Sequence, residues 1–498
     1  MYIRLSDNAL LRGWLDMTRT VVGRTPLPDT SAEGGLRLRY HYEQRPLKFT
    51  REEYQFVKRL DGQTDFPALD EAEQAVLEKL MQHGFVQISE SPLPPLSYEQ
   101  LYLGYKTLHL RSCTWSVTGK CNYRCKHCIL SAPDGKHPQL SLDRCRELVR
   151  QIADCGVHSV ILTGGEPLLR PDFPEIVDML TERDICIKTI MSNGRFVTDA
   201  LLDHLGMRGQ HPSFQISFDG TNGGHDWLRG VEGAEQDAIR AIKLLISRGF
   251  YVTASMCMHK GNAATLRDTA KLMGGLGVEQ FSVGAPQKLG LWSDRSVELG
   301  LSAEEQRDVC LSYIPQYFED GSPVSIALNG LFVCGKHGTA YRVEIEREFE
   351  TVEELSGVLI CSSARNNPYI SAEGQLMPCL GYAAGSFADE FPSLFDKPLN
   401  ETLTDSLTCD ILCTRFEKYL ERNEKCRTCP KLLKCAGGCR ACGLAGGGDH
   451  LCIDEAVCAL HLSGSADMVR ETADRAIERL GLEKGVQGEI PRAFAVEN

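Results

Sequence analysis

Between about residues 113 and 290, short apolar runs alternate with longer stretches in which hydrophobic residues recur at helical spacing. This alternation is typical of βα units, which build a parallel sheet. Six units are fewer than the eight of a closed barrel, so the pattern predicts an α/β fold with a partial, open (β/α)6 TIM-like barrel. The six strands are predicted at 114–117, 159–163, 185–191, 214–218, 251–256 and 279–283.

Residues 1–95 show the pattern of a small α/β module. Positions 36–42 alternate between apolar and polar side chains, as a half-buried strand does. One helix begins at a capping box made by Thr50 and Glu53, and a second helix covers 70–84. This order of elements predicts a winged-helix-like module.

The rest of the chain divides by pattern and composition. A linker is expected at 96–112, after a proline-rich run, and the barrel is expected to cover 113–330. Beyond the barrel the periodicity fades and cysteines crowd together, so 331–465 is predicted to be a cysteine-rich domain folded around metal. The last segment, 466–498, begins with an amphipathic helix.

Composition narrows the class of protein. No apolar stretch approaches the roughly 20 residues of a transmembrane helix, so no membrane partner is expected. No secretory signal is visible at the N-terminus, which favours a cytoplasmic location. In a reducing cytosol, 21 cysteines are better explained by metal than by disulfides. The net charge of −13 argues against nucleic acid and favours a small molecule or a peptide as the partner.

Three cysteines, Cys121, Cys125 and Cys128, lie in the loop after the first predicted strand. This is the edge at which parallel sheets present their ligand sites. Three thiolates on a short loop can hold three irons of a four-iron cluster and leave the fourth iron open. Zinc is the alternative, but it prefers four protein ligands and only His127 is well spaced to be the fourth.

This loop resembles that of the radical S-adenosylmethionine (radical SAM) superfamily. The resemblance implies that the three cysteines are catalytic, because they hold a [4Fe-4S] cluster whose open iron binds SAM. One electron then cleaves SAM to a 5'-deoxyadenosyl radical that abstracts a hydrogen atom from the substrate. For Arg229 the resemblance implies a SAM contact, and an ordinary surface salt bridge is an equal alternative. The implied SAM contacts are Gly164, Gly165, Glu166, Ser192, Asn193, Ser217, Asp219 and Arg229.

The C-terminal cysteines resemble those of a SPASM domain, an extension of radical enzymes that modify peptides and proteins. Their spacing is Cys361-x12-Gly374-x4-Cys379, then Cys426-x2-Cys429-x5-Cys435-x3-Cys439, and finally Cys458. The resemblance implies two auxiliary [4Fe-4S] clusters. The first set of ligands is Cys426, Cys429, Cys435 and Cys458, and the second set is Cys361, Cys379 and Cys439.

The second auxiliary set is one ligand short. Either Cys334 or Cys442 completes it, or one iron stays open to bind a substrate group such as a cysteine thiolate. The sequence slightly favours the open iron. Free thiols are the better explanation for Cys409, Cys413 and Cys452. The cysteines predicted to be core residues are Cys113, Cys145, Cys155, Cys186, Cys257 and Cys310.

The N-terminal module carries 12 Lys or Arg and 14 Asp or Glu, so it lacks the excess of positive charge that a DNA-binding module needs. It resembles instead the PqqD-like peptide-recognition element fused to maturases of ribosomally made peptides. The resemblance implies that the leader of a precursor peptide adds a strand near 36–42, which is recognition by β-augmentation. A packing subdomain without a ligand is the alternative.

These resemblances predict a radical SAM maturase of a ribosomally synthesised precursor peptide, supplied with electrons by a reductant such as flavodoxin or ferredoxin. The missing cluster ligand favours a thioether crosslink as the product. The nearest alternative is a radical enzyme of the same build that acts on a folded protein or a tetrapyrrole. The alternative from another class is a non-catalytic iron–sulfur protein that carries electrons or docks a partner.

Overall fold

The computed structural model describes residues 1–27, 36–43, 45–132, 137–328, 330–384 and 386–485. The N-terminal part combines two small sheets with two helices. Its strands are β1 (Tyr2–Leu5), β2 (Ala9–Trp14), β3 (Met17–Pro26), β4 (Tyr40–Tyr42), β5 (Leu47–Lys48), β6 (Asp61–Asp65), β7 (Val86–Ser89) and β8 (Leu103–Gly104). Its helices are α1 (Arg51–Val57) and α2 (Glu71–Gln82).

Both predicted helices of this module are confirmed. The capping box of Thr50 and Glu53 begins α1, and Asp70 caps α2 in the same manner. The strand predicted at 36–42 is shorter, since only β4 pairs with β3. The amide of Leu38 donates instead to the carbonyl of Arg208, so contact with the rest of the chain replaces strand pairing there.

The two small sheets have the strand orders β6-β1-β7 and β4-β3-β2-β8, with β5 also pairing with β3. The predicted linker packs closely against the second sheet. Within it, β8 runs parallel to β2, and the fully buried side chain of Gln100 donates to the carbonyl of Ser6 over 2.9 Å. Residues 96–112 are therefore held against the N-terminal module.

An eleven-stranded sheet forms the centre of the described chain. Its order is β17-β16-β15-β14-β13-β12-β11-β10-β9-β18-β19. The strands are β9 (Cys113–Ser116), β10 (Ser159–Thr163), β11 (Cys186–Ser192), β12 (Ser213–Ser217), β13 (Val252–Cys257), β14 (Gln280–Gly284), β15 (Ser325–Leu328), β16 (Phe332–Cys334), β17 (Tyr341–Arg342), β18 (Tyr369–Ile370) and β19 (Leu376–Met377).

All six predicted barrel strands are confirmed as β9 to β14, each within one residue at either end. They are parallel, and in the described sheet β9 does not pair with β15, so the sheet is open. A seventh parallel strand, β15, was not predicted. The later strands extend the sheet at both edges, with β16 and β17 on β15 and with β18 on β9.

Helices connect the strands and bury an apolar core against them. In β13, Val252, Ala254 and Met256 are buried in that core, whereas the alternate residues Ser255 and Cys257 are half-buried on the opposite face. The helices are α3 (Leu142–Asp154), α4 (Phe173–Glu182), α5 (Asp199–Met207), α6 (Gly224–Arg229), α7 (Ala234–Ser247), α8 (Leu266–Leu276), α9 (Trp292–Leu299) and α10 (Ala303–Glu319).

The C-terminal region is built from short helices. The predicted final amphipathic helix is confirmed as α20, which packs against α10. Within the described residues, no helix has the length and apolar character needed to cross a bilayer. The helices are α11 (Val352–Gly357), α12 (Ser362–Asn366), α13 (Leu399–Thr402), α14 (Leu407–Cys413), α15 (Phe416–Arg422), α16 (Glu424–Arg427), α17 (Leu432–Cys435), α18 (Arg440–Gly447), α19 (Glu455–Leu462) and α20 (Ser465–Arg479).

Candidate functional site

The loop that carries Cys121, Cys125 and Cys128 leaves the carboxyl end of β9 and is fixed by backbone hydrogen bonds. The amides of Arg124 and Lys126 donate to the last carbonyls of α6, over 3.0 and 2.8 Å. On the other side, the amide of Glu166 donates to the carbonyl of Lys120 over 2.9 Å. The cysteine loop is therefore held between α6 and the loop that follows β10.

The three thiols of this loop are close enough to influence one another electrostatically. Burial raises the pKa of Cys121 to about 12 and also raises the pKa of Cys125. Among the described residues, these three sulfurs do not form a group within 4.8 Å of one another. Tetrahedral zinc, with Zn–S bonds of about 2.3 Å, holds its sulfurs closer than that. The donor set therefore fits the larger iron–sulfur cluster better than it fits zinc.

His127, the residue spaced to be the fourth ligand in the zinc alternative, lies with Asp219 and Cys257 instead. The ligand atoms of these three residues are within 4.8 Å of one another. Arg229 already pairs with Asp219, so a cation placed here would meet a guanidinium. Cys257 is half-buried in this group and its amide donates to Asp219. Cys186 is half-buried as well, so the assignment of these two cysteines to the core is wrong.

The two glycines after β10 permit a close approach of backbone. A Cβ atom at Gly165 would overlap the carbonyl oxygen of Lys120, and one at Gly164 would lie 2.5 Å from the carbonyl oxygen of Thr118. Larger residues at either position would push the cysteine loop away. Gly164 and Gly165 thus bring Glu166 next to the cysteine loop.

Glu166 is buried and hydrogen-bonded to two other predicted site residues. Its carboxylate accepts a hydrogen bond from Ser192 Oγ over 2.9 Å and from the amide of Asn193 over 2.8 Å. The Asn193 side chain donates in turn to Asn122, inside the cysteine loop. Burial raises the pKa of Glu166 to about 7. Ser217 ends β12, the strand next to the one that ends at Ser192.

Asp219 and Arg229 form a buried ion pair beside the cysteine loop. Arg229 Nε donates to Asp219 Oδ2 over 2.6 Å, and Arg229 Nη1 lies 3.7 Å from Cys125 Sγ. The guanidinium keeps the pKa of Asp219 well below its usual range. His225 also faces Asp219, whose amide donates to its Nδ1. No motif or spacing in the sequence pointed to His225 as a site residue.

Within each of the two sets that the SPASM resemblance implies, C-terminal cysteines lie near enough to one another to interact electrostatically. Cys435 and Cys458 both interact electrostatically with Cys426 and Cys429. In the other group, Cys379 interacts with Cys361 and Cys439. Among the described residues, no three sulfurs of either set lie within 4.8 Å of one another. The two auxiliary clusters therefore stay a prediction.

A cavity of about 940 Å³ joins the parallel sheet to the second group of cysteines. Thr163 and Met191 line it from the strand ends that precede the glycines and Ser192. Lys48 of the N-terminal module lines it as well. The other lining residues that matter here are Cys361, Cys379 and Cys439.

Comparison with known proteins agrees with this geometry. Residues 115–273 match the model of the Radical SAM superfamily, so the chain contains a radical SAM domain. Its relatives include the AdoMet-dependent heme synthase of Oleidesulfovibrio alaskensis, 27% identical over 70% of this chain and 87% of that protein. Another is the sporulation killing factor maturation protein SkfB of Bacillus subtilis, 27% identical over 59% of this chain and 63% of that protein.

The fold as a whole is similar to that of a solved structure, Streptococcus suis SuiB bound to its precursor peptide SuiA. The TM-score is 0.62 at 17% sequence identity, and the match covers 92% of this chain and 99% of SuiB. Since residues 1–95 make up about a fifth of the chain, a match of this extent includes most of the N-terminal module.

Proposed function

We propose that this chain, which contains a radical SAM domain, is a maturase that modifies a ribosomally synthesised precursor peptide. The observation that carries the proposal is the cavity that runs from the strand ends at Thr163 and Met191 to Cys361, Cys379 and Cys439 and reaches Lys48 of the N-terminal module. An extended peptide fits a cavity that joins three parts of the chain better than a small molecule does.

Each part of the site has a proposed role. Cys121, Cys125 and Cys128 would hold a [4Fe-4S] cluster, which supplies reductive cleavage of SAM to a 5'-deoxyadenosyl radical when SAM is bound to its open iron. The carboxylate of Glu166 would bind the methionyl ammonium. Asn193 and Ser192 would hold that carboxylate in place. Ser217, Asp219 and Arg229 would form the wall of the SAM pocket beyond them.

The proposed product is a crosslink, and the sequence favours a thioether. The substrate carbon loses a hydrogen atom to the 5'-deoxyadenosyl group, and the substrate thiol loses a proton and an electron as the carbon–sulfur bond forms. That electron balances the one a flavodoxin or ferredoxin supplies to cleave SAM. The products are the crosslinked peptide, 5'-deoxyadenosine, methionine and one proton, so the peptide becomes lighter by two hydrogens.

The leader of the precursor is proposed to bind along the outer edge of β4, the end strand of its sheet among the described residues. This strand lies at the end of its sheet, and its pairing with β3 leaves the amides of Tyr40 and Tyr42 on the outer edge. The ring of Tyr42 stacks on His158 of the barrel, 3.8 Å between centroids. A leader added here would lie against the barrel, which supports delivery of the following residues into the cavity.

A tetrapyrrole is the second candidate substrate, because a heme synthase is among the relatives that match most of their own length. That match covers 70% of this chain, whereas the fold match to SuiB covers 92% and includes most of the N-terminal module. The peptide is therefore the better supported substrate. Stimulation of SAM cleavage by a porphyrin but not by a peptide would reverse this preference.

The test is anaerobic. The purified chain is reconstituted, its iron and sulfide are counted, and 5'-deoxyadenosine is measured with dithionite and a short peptide encoded beside its gene. We expect about twelve irons and peptide-stimulated SAM cleavage that Cys125→Ala abolishes and Cys186→Ala preserves. The absence of cleavage after full reconstitution would favour the non-catalytic alternative. Modification of a cysteine-free precursor would contradict the thioether.

A further inference from the structure

The second auxiliary group supplies three thiols for a four-iron cluster, and the chain offers two further cysteines that could complete it. We propose that Cys442 is the fourth ligand, so that this cluster has no open iron. The inference rests on the proposed function, because it assumes that Cys361, Cys379 and Cys439 bind a cluster. It concerns residues of this chain only and can be tested without any substrate.

The first turn of α18 brings Cys442 to Cys439. Cys439 is the N-cap of this helix, and Cys442 lies three residues further on, which places both side chains on the same face. The thiol of Cys442 and the amides of Ala441 and Cys442 lie near enough to Cys439 Sγ to interact with it electrostatically. The first turn of α18 therefore places the two thiols next to each other.

The segment that carries Cys379 packs directly on this turn. A Cβ atom at Gly381 would lie 2.6 Å from Ala441 Cβ and 3.6 Å from Cys379 Sγ, so no side chain separates the two segments. Cys442 interacts electrostatically with Cys379 as well as with Cys439. Rotation about χ1 moves the Cys442 sulfur without moving the helix, which lets it adjust to a cluster held by the other three thiols.

The other candidate, Cys334, lies elsewhere. It is fully buried in β16, and its thiol is within 3.5 Å of the carbonyl of Gly338 and interacts with Tyr317. Cys334 and Tyr317 both belong to the hydrophobic core that packs against the eleven-stranded sheet, near the end of the sheet formed by β16 and β17. The contacts with Gly338 and Tyr317 already satisfy the weak donor of a thiol, so Cys334 is a core residue.

A neighbouring amide supports ligation by Cys442. Gln287 Nε2 points at Cys442 Sγ from 3.9 Å. Amide donors commonly face the sulfurs of iron–sulfur ligands, because they stabilise the negative charge on the cluster. Gln287 follows β14, so it ties the end of the parallel sheet to this cluster.

A closed shell changes the chemistry expected of this cluster. With four cysteine ligands it can accept or donate an electron but cannot bind a substrate thiolate. A thioether, if it forms, must then arise from a thiol held by the peptide or by protein side chains. The cavity wall formed by Cys361, Cys379 and Cys439 would serve electron transfer.

The experiment uses the full chain with Cys121, Cys125 and Cys128 replaced by alanine, so that the auxiliary clusters alone remain. Cys442→Ala is compared with this parent and with Cys452→Ala, a control ten residues away whose thiol faces the carbonyl of Gly447. Each protein is reconstituted and its iron is counted. After reduction, ¹³C-cyanide is added and ¹³C coupling is measured by electron–nuclear double resonance, because cyanide binds an open iron.

We expect about eight irons and no ¹³C coupling in the parent and in Cys452→Ala. Cys442→Ala should either gain ¹³C coupling or lose about four irons, and both results support ligation. Coupling in the parent would overturn the inference, as would a Cys442→Ala protein with unchanged iron and spectra. If the parent held only four irons, the second auxiliary cluster would be absent and the inference would fail. SAM cleavage by the unmodified chain would then show that the proposed radical function still holds.

Discussion

Arg229 Nε donates to Asp219 Oδ2 over 2.6 Å, and both side chains are almost completely buried. The pair joins α6 to the end of β12, and Arg229 Nη1 lies 3.7 Å from Cys125 Sγ. The interpretation of Arg229 as an ordinary surface salt bridge is therefore wrong. Its guanidinium places a positive charge beside the loop in which the thiolates would gather.

Arg229→Met should destabilise the protein strongly. The variant leaves Asp219 buried without its partner, and removing one member of a buried pair costs about 3–5 kcal/mol. The free energy of unfolding in urea measures this loss. The reconstituted Arg229→Met protein should also hold less iron, because Cys125 loses the neighbouring guanidinium.

A matched control for this prediction is Arg248→Ala. Arg248 pairs with Asp199 and Asp203 on the protein surface, where ion pairs contribute little. We expect the free energy of unfolding and the iron content of this variant to equal those of the unmodified protein. Equal effects of the two substitutions would show that burial of the Asp219–Arg229 pair does not matter.

Much of the barrel could be predicted from sequence because each of its strands is a short apolar run between polar turns. β15 was missed, although it is parallel, since two helices, α9 and α10, separate it from β14. β4 was predicted too long because Leu38 bonds to Arg208, a contact between distant parts of the chain. Periodicity carries no information about such contacts.

The cysteines illustrate the same limit at the site. The spacing of Cys121, Cys125 and Cys128 predicted their common loop, because neighbours in sequence stay close in space, whereas the set around Cys435 came from the resemblance to a SPASM domain. Cys257 was placed in the core, since its position in a strand does not reveal which face it occupies. The choice between Cys334 and Cys442 required the packing of α18 against the Cys379 segment.

SAM binding should strengthen as the pH rises through 7. Burial raises the pKa of Glu166 to about 7, so its carboxyl is mostly protonated at pH 6 and mostly ionised at pH 8. The methionyl ammonium binds the ionised form, which predicts about a tenfold gain in affinity over this interval. Equilibrium dialysis of labelled SAM with reconstituted, unreduced protein measures it.

Glu166→Gln should bind SAM more weakly and without this pH dependence. Glu147→Gln, on the exposed side of α3, should behave as the unmodified protein does. A pH dependence that persists in Glu166→Gln would assign the titration to another group.

Leader recognition should depend on the backbone of β4. Tyr40→Pro removes an amide from the outer edge of this strand, whereas Tyr40→Ala removes only the side chain that packs under Arg24. Loss of one hydrogen bond of about 1 kcal/mol predicts an affinity for the precursor about fivefold lower in the proline variant than in the alanine variant. Fluorescence anisotropy of a labelled leader measures this difference. Equal affinities would place the leader elsewhere.

Gly165→Ala should disable the site while leaving the rest of the fold in place. Its Cβ would overlap the carbonyl oxygen of Lys120, so the cysteine loop has to shift, at a cost of about 1–3 kcal/mol. A shifted loop holds the first cluster poorly, and we expect SAM cleavage and about four irons to be lost. Gly206→Ala is the matched control, because no atom lies within 4 Å of its Cβ position in α5. Alanine favours a helix there, so this variant should be at least as stable as the unmodified protein. Full SAM cleavage by Gly165→Ala would show that close contact between the two loops is not required.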